Sequence, residues 1–302
     1  MTFRAILFSL LIFSTIQGKM IDYKITPDDF KEIKSKGINF LDAKELSFKN
    51  IDGLEIKEIS ALAYKNKILY ALTDKGVLIH FDISIQNNKI QQIDIAKVFV
   101  LKDTDAQTLK KDYRDSEGLC FLDEDLLISF EKKHRIDLYT TSGIKIQNQT
   151  IHKDIEKIEK FRSKNKGLES VAYNEKYGVV TAPEKSLNTK DKKQHILYSK
   201  EQQWVIPASG SISALEFISK NKLMILERKV NDITLKRVVT VSRLNLKNSK
   251  HKVLAELSSK KGWKLDNFEG LTKVGNNKYL MISDDNDSLF QKTLLVLFEI
   301  ED

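Results

Sequence analysis

Two columns of carboxylates recur at fixed spacing along this 302-residue chain. Glu117, Glu169 and Glu269 each open a short apolar run, and Ser60 and Ser213 hold the same place in two further runs. Fourteen or fifteen residues later a second apolar run ends on an acid, giving Asp74, Glu131, Glu184, Glu227 and Asp284. Four of these acids are followed at once by a cation: Lys75, Lys132, Lys185 and Arg228. The fifth is followed by more oxygen donors, Asp285, Asn286 and Asp287. So many carboxylates at one opening repel one another unless countered. Oxygen donors without clustered His or Cys favour Ca²⁺ or Mg²⁺ over zinc. A bound hard divalent cation would neutralise the rest, so the chemistry to expect is that of a metal or cation site.

Other chemistries find little support. No EF-hand loop is present, so a metal site must be assembled from distant segments. There is no G-x-S-x-G elbow, and the histidines (His80, His134, His152, His195, His251) keep no spacing to a nucleophile. Cys120 is the only cysteine, which excludes an intramolecular disulfide framework and a cysteine-built zinc site. It occupies the place of Ala63 and Ala172 in sister segments and reads as a small packing residue. The formal charge is +8, yet Lys and Arg are scattered through turns, no nucleic-acid-binding signature is present, and Trp204 and Trp263 are too few for a stacking platform. Nucleic acid is not an expected partner.

The elements that position the acids are short strands. Each first run (Ser60–Tyr64, Glu117–Phe121, Glu169–Tyr173, Ser213–Phe217, Glu269–Lys273) leads through an Asn/Asp/Gly/Lys turn into the second run. Strand, tight turn, strand is the hairpin pattern. The five copies begin 57, 52, 44 and 56 residues apart, room for four short strands each. The expected fold is all-β: a single β-propeller of five or six four-stranded blades, with the first strand of each repeat innermost. The N-terminal region or the stretch Ile83–Val100 could supply the sixth blade. An N-terminal strand is expected to complete the last blade and close the ring. Ile151–Phe161, with Ile151, Ile155, Ile158 and Phe161 on one face, predicts a short helix inserted between blades. Residues 1–18 combine Arg4, an apolar run from Ala5 to Phe13 and small residues ending at Gly18, which reads as a signal peptide. The domain then spans 19–302, exported to the periplasm or beyond, monomeric, with no membrane span in the mature chain.

Longer motifs carry a family resemblance. Asp115-Ser116-Glu117-Gly118-Leu119, Gly167-Leu168-Glu169-Ser170-Val171-Ala172, Leu226-Glu227-Arg228, Asn267-Phe268-Glu269-Gly270-Leu271 and Ser283-Asp284-Asp285-Asn286 resemble the phytase-like family, also called esterase-like activity of phytase. The resemblance runs from about Glu55 to the C-terminus. It implies an exported β-propeller related to calcium-dependent propeller phytases, which hold Ca²⁺ with acids at the channel mouth and phosphate with basic residues. Ser60 and Ser213 depart from the acidic pattern, so not every blade can offer the same ligand.

On this reading the metal ligands are Glu117, Glu169, Glu269 and Asp284, then Asp74 and Glu184. Glu169, Glu117 and Arg228 are the catalytic candidates, and Arg228, Lys132, Lys185 and Lys75 hold the substrate. The expected activity is calcium-dependent hydrolysis of a small-molecule phosphate ester, or of a carboxylic ester. The alternative is a non-catalytic, metal-binding propeller that engages a ligand or protein partner in the cell envelope.

Overall fold

A computed structural model describes residues 16–28, 34–35, 37–163, 167–231, 233–234 and 236–301. Residues 1–15, which hold most of the expected signal peptide, lie outside the described residues. Five antiparallel sheets follow one another along the chain, almost without helix. Strands are named A to D from the channel outward. Blade 1 comprises Ile59–Lys65, Ile68–Thr73, Val77–Gln86 and Lys89–Val100, flanked by the short strand Ile16–Gln17. Blade 2 comprises Ser116–Leu122, Asp125–Phe130, Arg135–Tyr139 and Lys145–Asn148. Blade 3 comprises Leu168–Asn174, Gly178–Pro183, Gln194–Tyr198 and Gln203–Pro207. Blade 4 comprises Ser211–Ser219, Lys222–Val230, Arg237–Asn245 and Lys250–Ser258. Blade 5 comprises Asn267–Gly275, Lys278–Asp284 and Thr293–Ile300, with Ile38–Ser47 as its fourth strand.

The fold is thus a five-bladed β-propeller. Both candidates for a sixth blade are absorbed: Val77–Gln86 and Lys89–Val100 form the outer hairpin of blade 1, and Ile38–Ser47 pairs antiparallel with Thr293–Ile300. The expected helix over 151–161 is instead two single 3-10 turns, Lys153–Ile155 and Ile158–Lys160. Lys157 and Phe161 have extended backbone, and the His152 side chain accepts the Asp154 N–H, so no continuous helical ladder forms. The periodicity was real as a burial pattern, since Ile155 and Phe161 are both buried. Among the described residues no helix is long and apolar enough to cross a membrane.

Hairpin turns form where the sequence supplies residues tolerant of left-handed backbone. Asn66 and Lys67 both have positive φ, as do Asn87 and Asn88, matching two-residue type I′ turns. The blades bury their faces against each other, so the core is divided into five layers. Ala61, Leu72 and Leu78 of blade 1 meet Leu126, Ile128 and Phe130 of blade 2, and each later pair of neighbours repeats the arrangement. Both tryptophans serve this packing; Trp204 also donates its indole N–H to the Leu246 carbonyl at 2.9 Å. Inner strands approach closely where side chains vanish. A Cβ on Gly118 would lie 2.9 Å from the Val171 amide nitrogen of blade 3, so a larger residue there would force the blades apart.

Candidate functional site

Every inner strand carries a β-bulge at the same repeat position. In blade 2 Ser129 faces Gly118 while Phe130 faces Ser116, which leaves Glu117 as the extra residue. The same register break leaves out Ser60, Glu169, Ser213 and Glu269 in the other blades. A bulge frees one residue from the alternation of strand faces and re-aims its side chain. That is the local reason for the first column of acids. The two serines use the freedom differently. Ser60 Oγ donates to the Ser116 carbonyl of blade 2 at 2.9 Å, and Ser213 Oγ to the Phe268 carbonyl of blade 5 at 3.1 Å. They stitch neighbouring inner strands and are not ligands.

The structure brings the carboxylates to one face in overlapping groups. Asp115, Glu117 and Glu131 form one trio and Glu131, Glu169 and Glu184 another, each offering oxygens within 4.8 Å of one another. Glu131 belongs to both, although the sequence reading left it out of the ligand set. Asp74 and Asp284 form a further acidic region with Glu269 between blades 1 and 5. Glu227 is withdrawn from the common mouth. It accepts the N–H groups of Ser209 and Gly210 at 2.7 and 3.1 Å and lies 3.3 Å from the His195 ring, so it fastens the connection between blades 3 and 4.

Crowding and burial raise the proton affinity of these acids. Glu117 is held well above the usual carboxylate range by burial, then by Glu169, Glu269 and Glu131. Glu169 is also held well above it, by burial and Glu184, against the opposing pull of Arg228. Asp284 is pushed up to about 8 by burial and Glu269, and Asp74 up to about 7 by burial and Glu58. These acids share protons or need a cation.

Arg228 is the internal cation. Burial disfavours its charge, but Glu269, Glu169, Glu184 and Glu117 outweigh that cost and hold it protonated. Its guanidinium lies 2.8 Å from Glu269 and 3.9 Å from Glu169, and donates to Asn267 Oδ1 at 2.9 Å. Asn267 in turn donates to Glu269 at 2.7 Å. Arg228 is therefore first a counter-charge that spans blades 3, 4 and 5.

The other basic candidates separate. Lys75 pairs with Glu58 and, at 3.4 Å, with Glu55. Lys132 pairs with Asp115 at 3.1 Å. Lys185 is exposed and lines a cavity of about 580 Å³ together with Arg162, Lys192, His195, Arg228 and Lys229, and Glu184 lines the same cavity. A basic chamber thus opens beside the second carboxylate trio. Arg162 and Lys192 were missed by the repeat pattern because they sit in connections of irregular length. His134 packs on Phe161 and its Nε2 meets the Glu156 carbonyl at 3.0 Å, a structural role.

The trios suit a hard cation. Calcium takes oxygen ligands at roughly 2.3–2.6 Å, so oxygens less than 4.8 Å apart fit around one ion. Beneath the mouth the channel narrows between the inner strands to a cavity of about 10 Å³, room for about one water.

A family model described as "Phytase-like: Esterase-like activity of phytase" matches residues 54–287. No curated protein matches the sequence. Among solved structures, a chain of the mitotic checkpoint complex is 10% identical, with a TM-score of 0.40 over 86% of this chain and 69% of that one. The Dos1 propeller is 8% identical, with a TM-score of 0.37 over 85% and 73% of the two chains. The computationally designed Ika4 protein is 13% identical, with a TM-score of 0.30 over 68% and 94%.

Proposed function

The chain belongs to the phytase-like family, and on that premise we propose that it is a divalent-cation-dependent hydrolase of small phosphate esters. One observation supports this above others: the trio Glu131, Glu169 and Glu184 adjoins the basic 580 Å³ cavity, and Glu184 belongs to both. An acidic cluster and a basic chamber side by side suit a cation and an anionic group held in contact. A neutral carboxylic ester would have no use for the basic half.

Glu131, Glu169 and Glu184 would hold the cation, with Ca²⁺ the best match to an all-oxygen set. When bound, the cation neutralises phosphate charge and makes water more acidic. Arg162, Lys185 and Lys192 receive the phosphate oxygens from the cavity side. Arg228 lies against Glu169 and Glu269 as their counter-charge and holds them in place. Glu117 sits in the adjoining trio with a proton affinity raised above that of an ordinary carboxylate, which makes it, once ionised, a stronger base toward the proton of an attacking water. Glu269, Asp74 and Asp284 shape the field of the mouth. Export by residues 1–18 and a monomeric state complete the proposal.

The test is release of phosphate from phytate and nitrophenyl phosphate by chain lacking residues 1–18, with calcium or with chelator. Calcium-dependent turnover that Glu184→Gln abolishes is the expected result. A calcium-dependent thermal shift without turnover on any phosphate or carboxylic ester would instead assign a binding propeller of the cell envelope.

A further inference from the structure

The opposite mouth of the channel opens into a second cavity. The fifth residue of the repeat, counted from the bulge, is Tyr64, Phe121, Tyr173 and Phe217 in blades 1 to 4, and Lys273 in blade 5. All four aromatic residues are partly exposed and line one cavity of about 450 Å³. That volume lies in the range of small-molecule sites. Four half-exposed rings at equivalent positions of successive blades form a collar, and Phe121 is braced edge-on by Tyr70 with ring centres 5.0 Å apart. The narrow channel floor separates this cavity from the acidic mouth.

The polar groups of the cavity carry little free charge. Lys65 is bound to the Asp123 carbonyl and pairs with Glu124 at 2.7 Å, and its ammonium lies over the Phe121 ring. Lys273 spends its ammonium on the Ile218 carbonyl at 2.8 Å. Glu216 lies among the lining residues, bonded by the Lys273 N–H and the Thr272 hydroxyl. Burial pushes its carboxyl up to about 7, so near neutral pH it both donates and accepts hydrogen bonds. Asn66 and Asn276, both exposed, add amides at the rim. An anion finds no unspent counter-charge here, and a cation meets only the part-ionised carboxyl of Glu216, already hydrogen-bonded by the Lys273 N–H.

We propose that this collar binds an uncharged saccharide ring, whose C–H faces lie against the aromatic side chains and whose hydroxyls meet Glu216, Thr272 and the rim asparagines. An aromatic wall with amide, hydroxyl and carboxyl groups in one cavity complements a molecule that is apolar on its faces and polyhydroxylated at its edge. The site is independent of the chemistry proposed for the acidic mouth.

The test is calorimetric titration of the full chain with maltotriose, cellotriose and the N-acetylglucosamine trimer. Saturable binding of at least one trisaccharide is expected. Tyr173→Ala and Phe217→Ala should each weaken it at least tenfold, with Tyr64→Ala serving if either fails to fold. Tyr173→Phe and Glu184→Gln should leave it within twofold. The proposal is overturned if no trisaccharide saturates, or if folded aromatic variants bind like the parent. Binding of choline in place of the sugars, with the same dependence on the collar, would also overturn it and mark the site as an ammonium cage.

Discussion

Asp284→Asn should make the metal-free protein more stable at alkaline pH, although it removes a charged group from the acidic mouth. Asp284 is 5% exposed and its carboxyl is pushed from 3.8 to about 8 by burial, Glu269 and Asp74. Between those limits the folded chain holds a proton that the unfolded chain has released. Bound protons are then more numerous in the folded state, so stability falls as pH rises, by at most about 1.4 kcal/mol per pH unit for one proton. Across the whole window the loss from this one group is about 6 kcal/mol, an upper figure because Asp74 titrates in the same field. Asparagine imitates the protonated carboxyl and keeps Oδ1 as acceptor for the Asn286 N–H, which now donates to it at 2.8 Å. Urea unfolding with chelator from pH 4.5 to 8.5 measures the effect. The variant should match the parent within about 1 kcal/mol at pH 4.5 and exceed it by about 2–5 kcal/mol at pH 8.5. A parent profile that is flat between pH 5 and 8, or a variant with the same slope, would refute the reasoning.

The same ledger of charge makes further predictions. Arg228→Met should destabilise the metal-free protein by about 3–5 kcal/mol, since it leaves buried Glu269 and Glu169 without their counter-charge, and chemical denaturation with chelator checks this. Calcium at 100 times its dissociation constant should stabilise the parent by about 2.7 kcal/mol, read as a thermal shift that Glu184→Gln removes. Ser60→Ala should cost about 1–2 kcal/mol by leaving the buried Ser116 carbonyl without its 2.9 Å donor, measurable by urea unfolding. Gly118→Val should be far worse, because its side chain would meet the blade 3 backbone, and soluble yield with far-ultraviolet circular dichroism reports the loss.

The blade repeat was legible because each inner hairpin is local: apolar runs, a turn and an acid at constant spacing leave little freedom. The bulge was not legible. It inserts one residue without altering composition, and Glu117, Glu169 and Glu269 read as ordinary first residues of strands until their pairing is seen. The division of labour among the second-column acids was hidden for a different reason. Glu184 and Glu227 occupy the same repeat position, but the connection through Ser209 and Gly210 turns its N–H groups onto Glu227. Such a difference arises in a neighbouring loop and not in the motif. The partners of Lys75 and Lys132 were hidden similarly, since Glu58 and Asp115 precede the inner strands and become neighbours only through the hairpin. The aromatic collar was present in the repeat as Tyr64, Phe121, Tyr173 and Phe217, a column that packing alone could have explained.

The fourth strand of blade 5 has a consequence for how the chain acquires its shape. Blades 1 to 4 each draw their four core strands from one continuous segment and can form as synthesis proceeds. Blade 5 cannot, because Asn39 and Glu299, which share a hydrogen bond, stand 260 residues apart. Joining strands over that distance rather than through a tight turn of about four residues costs roughly 3–4 kcal/mol of chain entropy. Stacking of the first four blades lowers that cost by curving the ends toward each other. The last blade thus acts as a checkpoint on the others: a chain in which any earlier blade has failed presents its two termini too far apart to pair. Moving Ile38–Ser47 behind Ile300 by circular permutation would dissolve that dependence and let blade 5 fold as locally as its neighbours.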